Sequence, residues 1–587
     1  MRLITLDFET FFSKDYNLRK LTTEAYVRGS EFEVLCCGIK NGPLIRNYNQ
    51  AAILCHHAQF DGLILSHHYG VKPLFWFDTL AMARMLYPHD KSHSLDSLAK
   101  KFNLPAKIVP YKEFEGKRLK DLSPETLHRL KEGCQHDVEL THDIFCNLIR
   151  GFPRDELRVI DLTIRMFTEP VLQLDRDRAK AYLEKTVAAQ EDLLNRLGVD
   201  KSSLASSNKF AALLEQYGVE PPTKISLRTG KEVFAFAKTD PGFLELGNHE
   251  YEDIRLLAEA RLATKSTIGE TRASRLLNMS ERGALPVYLK YYGAHTGRWS
   301  GGDKLNFQNF PRGGELRKSL LAPEGKVLCV ADLAQIECRV LNWLAGEKWV
   351  LDAFRTGRDL YSEMASSFYG REINKKDHPK ERVLGKTLVL GAGYGIGWKK
   401  LQGVLKLGGV DLDEGLARRA IDTYRGKHPN VVELWKKADY IIEQMCGNKN
   451  FGFTWGKNFG FTWGPMEVYG NKIVLPNDAE MDYSSLRINH EGYYLDLPRG
   501  KTKIYGGKLV ENVVQALARV VMSEAMIKIA ERYKIVLTCH DELVYLANHD
   551  EADKALEFGL SVMKSAPWWA KDLPLDAEGG WDVRYSK

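Results

Sequence analysis

The chain has 587 residues, of which 44% are hydrophobic and 27% are charged. That length exceeds what one hydrophobic core supports and indicates about three to five domains. The formal charge of +6 does not decide for or against nucleic acid, because local patches matter more than the sum. Nine cysteines without a CxxC spacing argue against a disulfide framework and for a reducing cytoplasm. The longest apolar runs are only strand-length, so neither a membrane span nor a signal peptide is expected.

Residues 1–150 alternate short apolar strands with helical patterns, which predicts an α/β arrangement. The first strand ends in Asp7-Phe8-Glu9, whose carboxylates share one face because strand side chains alternate. Asp61 closes the segment His56–Asp61, and Asp137 follows in a later segment, Cys134–Glu139. A lone DxE usually marks only a strand end. Four acids in this order, however, can hold two metal ions and hydrolyse a phosphodiester.

From Arg154 to Leu277 the pattern is mainly helical and strongly charged. A basic, hydroxyl-rich stretch, Arg261–Thr267, lies near its end. Such a stretch is usually a solvated helix face. It would also suit the phosphates of a duplex.

Two acidic positions further along the chain predict a second metal site. The apolar strand Lys326–Ala331 runs directly into Asp332, and the strands Ile535–Cys539 and Leu543–Leu546 flank His540-Asp541-Glu542. If these strands pair in one sheet, Asp332 and Asp541 can share two divalent cations about 3.5–4 Å apart. Mg²⁺ suits this role, since it is a hard cation held by few carboxylates and by phosphate oxygens.

Between the two acids, Arg382, Lys386, Leu390 and Tyr394 are spaced four apart and so form one stripe on a helix. Two cations followed by apolar and aromatic surface suit a nucleoside triphosphate. Taken alone, a basic stripe is more often a solvated helix face. The acidic elements on either side favour the nucleotide.

The octapeptide KNFGFTWG occurs twice in tandem, at Lys449–Gly456 and Lys457–Gly464. Two copies are too few for a solenoid. A duplicated surface hairpin or loop is the simpler interpretation. The aromatic rings and lysines could instead stack on single-stranded bases.

Three segments together resemble DNA polymerases of family A, the DNA polymerase I family, in their compact bacteriophage form. DLAQIECR at Asp332–Arg339 is similar to motif A, RVLGKTLVLGAGYG at Arg382–Gly395 to motif B, and His540–Glu542 to motif C. The resemblance implies a multidomain α/β and α+β fold, a ribonuclease H-like exonuclease domain followed by a right-hand polymerase. The implied domains are an exonuclease (1–150), a mainly helical thumb (151–285), a palm (286–345 and 481–587) and fingers with the tandem repeat (346–480).

Carried over position by position, the resemblance makes Asp332 and Asp541 catalytic ligands of two Mg²⁺ ions, for which Mn²⁺ could substitute. It makes Glu337 the steric gate against a ribose 2′-OH and gives Lys386 a catalytic role toward the triphosphate. The implied nucleotide contacts are Arg382, Lys386, Leu390, Tyr394 and Glu337. The implied DNA contacts are Arg298, Asn306, Gln308, Asn309, Asn512, Gln515, His540 and Glu542.

The N-terminal acids resemble the metal ligands of the DEDD-type 3′→5′ proofreading domain that precedes such polymerases. They are the catalytic and metal-binding residues Asp7, Glu9, Asp61 and Asp137. Two positions depart from the pattern. His57 replaces an Asn, and Gly133 stands where the family places a Tyr that orients the attacking water. An attenuated exonuclease is therefore expected.

The expected function is primer extension on a DNA template with appended 3′→5′ excision, replicating phage DNA in the cytoplasm of a bacterial host. The expected partners are primer-template DNA, dNTPs and replication accessory proteins; we expect no membrane partner, a monomer and no 5′ nuclease domain. A single-subunit RNA polymerase or a reverse transcriptase is the nearest alternative, against which Glu337 and the nuclease argue. A catalytically dead nucleic-acid scaffold is another, against which intact Asp332, Asp541, Lys386 and Tyr394 argue.

Leu390 stands where the family commonly has Phe or Tyr, so a stacking surface beside the nucleotide sugar is lost. We expect Leu390→Phe to change the ratio of dideoxynucleotide to deoxynucleotide incorporation several-fold relative to the parent. Steady-state incorporation with both nucleotides measures this ratio. Equal ratios in the two proteins would refute the prediction.

Overall fold

The computed structural model describes residues 2–42, 48–108, 111–226, 230–265, 267–447, 460–497 and 500–586. Within those ranges no helix is both long enough and apolar enough to cross a membrane. The first copy of the tandem repeat and the first three residues of the second copy lie outside them.

The N-terminal region is a four-stranded sheet covered by helices. The strand order is β2-β1-β3-β4, with β2 antiparallel to β1 and with β3 parallel to both of its neighbours. The α/β arrangement predicted for residues 1–150 is confirmed. The elements are β1 (Arg2–Thr10), α1 (Thr23–Val27), β2 (Val34–Lys40), β3 (Ala51–Cys55), α2 (Ala58–Tyr69), β4 (Phe75–Asp78), α3 (Thr79–Leu86), α4 (Leu95–Lys101) and α5 (Pro124–Leu148).

The next region is mainly helical, as its pattern predicted. A separate hydrophobic core that includes Phe210, Phe243 and Leu257 holds its outer part together. The short antiparallel strand pair β6–β7, which the sequence did not reveal, lies outside that core. The elements are α6 (Arg154–Thr168), β5 (Gln173–Leu174), α7 (Arg176–Leu197), α8 (Lys201–Ala205), α9 (Ser207–Gln216), β6 (Thr223–Ile225), β7 (Glu232–Phe234), α10 (Pro241–Gly247), α11 (Glu252–Lys265) and α12 (Ile268–Ser280).

Helices dominate the middle of the chain after one long buried strand. The elements are β8 (Leu289–Lys290), β9 (Ser300–Gly301), α13 (Glu315–Lys318), β10 (Leu320–Leu321), β11 (Lys326–Leu333), α14 (Ile336–Ala345), α15 (Lys348–Arg355), α16 (Leu360–Tyr369), α17 (Pro379–Gly391), α18 (Trp398–Leu407), α19 (Glu414–Lys427) and α20 (Pro429–Gly447). A 3₁₀ turn, Ala392–Tyr394, follows α17 and is closed by Gly395 at φ +76°. The α-helix itself ends at Gly391 and tightens into this turn, so Tyr394 lies just beyond α17 and not on it, which corrects the predicted four-residue helical stripe.

The C-terminal part adds strands and one long buried helix. Its elements are β12 (Gly460–Trp463), β13 (Met466–Tyr469), β14 (Lys472–Val474), β15 (Glu480–Asp482), β16 (Leu486–Asn489), β17 (Gly492–Leu497), β18 (Gly500–Lys503), α21 (Gly506–Ala530), β19 (Lys534–Cys539), β20 (Glu542–Asn548), α22 (Ala552–Lys564) and β21 (Ala577–Asp582). The antiparallel sheet β19-β20-β11-β21 unites two distant parts of the chain, and Asp332 pairs with Glu542 across it.

The described end of the tandem repeat is structural. Gly460–Trp463 forms β12, which pairs with β13, and the Trp463 side chain is buried at 1% exposure. Stacking on single-stranded bases is therefore wrong for this ring, because its faces are already covered by protein. The hairpin interpretation holds for this part of the second copy.

A buried ion pair joins three parts of the chain at the centre of the molecule. Glu156 on α6 and Arg519 on α21 are both nearly inaccessible, and Nη2 of Arg519 lies 2.7 Å from Oε2 of Glu156. Asn477 and Tyr291 also donate to the Glu156 carboxylate. The Nε of Arg519 donates to the carbonyl of Gly297 at 3.1 Å. The pair thus fixes the loop that carries Arg298.

Replacing Arg519 by Met should lower the free energy of unfolding by about 3–5 kcal/mol, because it leaves the Glu156 carboxylate buried without its cation. The double variant Glu156→Gln with Arg519→Met should recover part of that loss. Arg158→Met is the matched control, since its partner Glu531 is 3.2 Å away and both side chains are largely exposed; it should cost less than about 1 kcal/mol. Urea unfolding measures all three, and equal small losses in Arg519→Met and the control would contradict the prediction.

Candidate active sites

The end of β11 and the β19–β20 hairpin bring Asp332 and Asp541 together. The backbone N–H of Leu333 donates to the carbonyl of Asp541 at 2.9 Å, and His540 takes a left-handed conformation at φ +56° in the turn. Burial raises the pKa of Asp541 to about 6; Arg298 opposes this shift, whereas the charges of Glu337 and Asp332 add to it. Crowded carboxylates of this kind are a site for cations.

Arginine side chains already stand among these carboxylates. Arg298 forms an ion pair with Glu337 and lies 4.0 Å from Asp541. Nη2 of Arg312 is 2.6 Å from Oδ2 of Asp332, and the Arg312 side chain is 68% exposed. Sequence reasoning missed Arg312, since a lone arginine in a loop carries no pattern. Its exposure leaves it free to swing away from Asp332.

The predicted nucleotide-binding residues divide into two groups. Tyr394 Oη lies 3.4 Å from Oε2 of Glu337, so these two predicted neighbours do meet. Burial raises the pKa of Tyr394 well above its ordinary value, which keeps its hydroxyl protonated. Lys386 and Leu390 are exposed on α17. Arg382 instead forms an ion pair with Asp359, Nε to Oδ2 at 2.6 Å, which nothing local in the sequence signals.

Several predicted DNA contacts hold backbone or neighbouring side chains. Asn306 accepts from the N–H of Gln308, and Gln308 is buried and donates to the carbonyl of Thr538 at 3.1 Å. Asn309 and His540 are exposed. On α21, Asn512 is buried and donates to Tyr483 Oη at 3.3 Å, whereas Gln515 donates to Glu511.

The Glu542 side chain is enclosed by protein. Its side chain is buried at 1% exposure, and both oxygens lie 2.8 Å from Nη2 of Arg317. The hydroxyl of Tyr585 donates to the same carboxylate. Both carboxylate oxygens therefore have protein partners, and the contact of Glu542 with DNA stays a prediction. Glu542 supports the base of the hairpin that presents Asp541.

The four N-terminal acids converge from three elements. Asp7 and Glu9 lie on β1, Asp61 on α2 and Asp137 on α5. The Phe8 N–H donates to Oδ1 of Asp61 at 3.1 Å. Burial raises the pKa of Asp7 to about 7, with Asp137 adding to the shift and Lys107 opposing it. Burial and the charge of Asp7 also raise the pKa of Asp61.

Two residues beside this cluster were not found from the sequence. Nζ of Lys107 lies 2.6 Å from Oδ2 of Asp137. Cys134 is buried on α5, and its Sγ lies within 4.8 Å of ligand atoms of Asp7 and Glu9. The spacing of Cys134 and Asp137 along one helix was visible in the sequence, but the approach of α5 to β1 was not.

His57 and Gly133, the two residues that depart from the nuclease pattern, both lie beside the N-terminal acids in the sequence, at the start of α2 and on α5. His57 caps the start of α2 in the left-handed region at φ +76°, which Asn, Asp and His enter more readily than other residues. Its Nε2 lies 2.9 Å from Tyr288 Oη, and burial lowers its pKa to about 4, so the ring is neutral. Gly133 is buried one turn before Asp137 and supplies no hydroxyl.

Comparison with known proteins matches two parts of the chain to family models. Residues 176–449 match the family model described as DNA polymerase family A, and residues 41–150 match that described as 3′-5′ exonuclease. The DNA polymerase of Bacillus phage SP02 is 25% identical over 668 aligned positions, covering 99% of each chain. DNA polymerase I of Pseudomonas aeruginosa is 24% identical, covering 86% of this chain and 53% of that one. The thermostable DNA polymerase I of Thermus filiformis is 28% identical, covering 68% and 43%.

The chain therefore spans nearly all of the phage relative and about half of these two bacterial relatives. Among solved structures, the POL domain of Pol1 from M. smegmatis in complex with DNA primer-template and dNTP has a TM-score of 0.68 at 18% identity. That match covers 99% of this chain and 95% of the other, and it shows the same fold.

A ribonuclease H-like domain followed by thumb, palm and fingers defines a DNA polymerase joined to a nuclease. The two matched models and the shared fold make the assignment specific. This chain carries a DNA polymerase family A domain that is preceded by a 3′-5′ exonuclease domain.

Proposed function

We propose that this polymerase extends a DNA primer on a DNA template by metal-assisted nucleotidyl transfer and that its N-terminal domain excises nucleotides from the 3′ end. The observation that carries the first activity is the meeting of Asp332 and Asp541 at one edge of the β19-β20-β11-β21 sheet. Glu337 and Tyr394 stand beside them as one face of a nucleotide pocket. We assign residues 151–285 to the thumb, 346–480 to the fingers, and 286–345 with 481–587 to the palm.

The donor set at Asp332 and Asp541 fits Mg²⁺, with Mn²⁺ as a substitute. Both side chains offer hard carboxylate oxygens. Burial raises the pKa of Asp541, the charges of Glu337 and Asp332 add to the shift, and a bound cation would stabilise the charged carboxylate. Two such cations, when bound, stabilise the attacking and leaving oxygens of an in-line phosphoryl displacement. Arg312 now occupies one oxygen of Asp332 and must turn outward for that carboxylate to become a ligand.

Around this centre, the chain's own residues bind and orient the nucleotide. The exposed Lys386 side chain projects from α17 and binds the triphosphate. Arg382 also binds the triphosphate after its ion pair with Asp359 has broken. Arg298 holds the Glu337 carboxylate in place, and Tyr394 contacts its other oxygen. Glu337 therefore forms a fixed polar wall that excludes a ribose 2′-OH. Positioning and charge stabilisation of this kind dominate phosphoryl-transfer catalysis.

In the nuclease domain, Asp7, Glu9, Asp61 and Asp137 form the corresponding donor set, and the raised pKa values of Asp7 and Asp61, caused first by burial, again fit divalent cations. Its activity is attenuated. The ammonium group of Lys107 pairs with the Asp137 carboxylate and so competes with a metal cation. Gly133 has no hydroxyl that could orient the attacking water.

The biological setting follows from the proposed activity and from the phage relative. We place the enzyme in phage DNA replication inside a bacterial cell, acting as a monomer on primer-template DNA and dNTPs with replication accessory proteins.

Asp541→Asn should reduce primer extension on the order of a thousandfold, because losing a charged metal ligand removes several kcal/mol of transition-state stabilisation. Its 3′ excision of single-stranded DNA should stay unchanged. Asp7→Ala is the reciprocal control and should lose excision alone. Gel-resolved extension with dNTPs, and with rNTPs in parallel, measures the first site. Full extension by Asp541→Asn would refute the assignment, and preferred use of rNTPs would favour an RNA polymerase.

Gly133→Tyr should increase excision of a mismatched primer terminus about tenfold or more, because an oriented water attacks more readily than a mobile one. The comparison uses the Asp541→Asn background, so that resynthesis does not mask excision. Excision that is already fast in the parent and does not rise in the variant would count against attenuation.

A further inference from the structure

The small antiparallel sheet β16-β17-β18 carries a basic and aromatic face that neither proposed activity uses. Arg487, Tyr494 and Lys503 pair directly across its three strands, so their side chains share one face. Lys501 lies on the same face, with its Nζ 4.7 Å from the centre of the Tyr494 ring. Asp496 is the acidic member, opposite Lys501. Three cations therefore face one carboxylate around an aromatic ring.

The opposite face of this sheet packs against the protein core. Leu486 and Leu495 are buried there, and the sheet packs on α20. The basic face consequently points away from the core, and Arg487, Lys501 and Lys503 are all exposed. A structural role in the core does not account for these side chains.

The same face leads directly to the nucleotide pocket. Ile504 is buried and continues the ladder, its N–H donating to the Tyr493 carbonyl at 3.0 Å, and Tyr505 is also extended at φ −153°. Side chains alternate along an extended chain, so Lys501, Lys503 and Tyr505 project to the same side. Tyr505 is 42% exposed, and a Cβ at Gly395 would lie 3.5 Å from its ring. Gly395 directly follows Tyr394.

We propose that this face, defined by Arg487, Tyr494, Lys501, Lys503 and Tyr505, binds the single-stranded template ahead of the templating base. Single-stranded DNA is recognised by cations that follow its phosphates and by aromatic rings on which bases stack, which is the combination present here. β18 spans about 13 Å at 3.3 Å per residue, which gives the strand an extended track ending beside the pocket. This assignment rests on the proposed polymerase function and adds a template subsite to it.

The test compares binding of two primer-templates that differ only in template overhang, one nucleotide against eight, by fluorescence anisotropy. The wild type should bind the longer overhang more tightly. The double variant Lys501→Gln with Lys503→Gln should lose most of that gain in affinity. The slope of the logarithm of the gain against the logarithm of the salt concentration should become less steep by about 1.4, because each lost cation removes about 0.7 on single strands. Tyr494→Ala should reduce the gain about fivefold or more, and Tyr494→Phe should keep it.

Lys117→Gln with Lys120→Gln is the matched control, since both lysines are exposed in the N-terminal domain and the charge change is identical. It should leave the gain at the wild-type value. Equal affinity of the wild type for both overhangs would overturn the proposal. So would an unchanged gain in the Lys501/Lys503 variant, or an equal loss on both overhangs. Single-nucleotide insertion on the one-nucleotide overhang should be normal in every variant; its absence in the wild type would instead refute the polymerase function.

Discussion

The fully buried ion pair between Glu156 and Arg519 is the constraint on which the polymerase half depends. Arg519 extends from the long helix before the Asp541 hairpin, and Glu156 from the first helix after the nuclease domain. Through Gly297 and Asn477 the pair also holds the Arg298 loop and the turn between β14 and β15. Desolvating both charges is costly unless each is fully hydrogen-bonded, so any shift of one element destabilises the others. The loop that presents Arg298 to Glu337 and Asp541 is thereby fixed from beneath.

Both acidic centres share one electrostatic arrangement, in which protein cations occupy carboxylates that the proposed mechanism gives to metal ions. Arg312 pairs with Asp332, and Lys107 pairs with Asp137. In a similar way Arg382, which the proposed mechanism gives to the triphosphate, pairs with Asp359. Carboxylates gathered this closely repel one another, so a mobile cation stabilises the fold when no metal ion is bound. Metal and substrate binding are then exchange reactions. The exposed Arg312 side chain exchanges more readily than Lys107, which is in line with the attenuation proposed for the nuclease.

The pattern of apolar and polar residues predicted those features of the fold that depend on residues close together in the sequence. The strand that ends in Asp332, the acidic hairpin at Asp541 and the α/β order of the N-terminal domain follow from apolar periodicity and chain order, and the structure contains them. The ion-pair partners of Glu542, Arg382 and Glu156 could not be predicted in this way. Each partner lies in another element of the fold, and a single charged residue forms no periodic pattern. The prediction that Tyr394 lies on the same helix as Arg382 was wrong for a local reason. The α-helix ends at Gly391 and tightens into the 3₁₀ turn Ala392–Tyr394.

The central strand β11 has a consequence for how the chain is made. Both of its hydrogen-bonded neighbours, β20 and β21, come from the last part of the chain, about 200 residues later, so its contacts are strongly non-local. At about 5–20 residues per second, a ribosome needs about 10–40 s to deliver them. During that interval β11 is an apolar strand with two bare edges, the kind of segment that pairs with other chains. Nascent chains stalled before residue 534 should therefore depend on chaperones, whereas the N-terminal sheet, complete by residue 78, can already be folded.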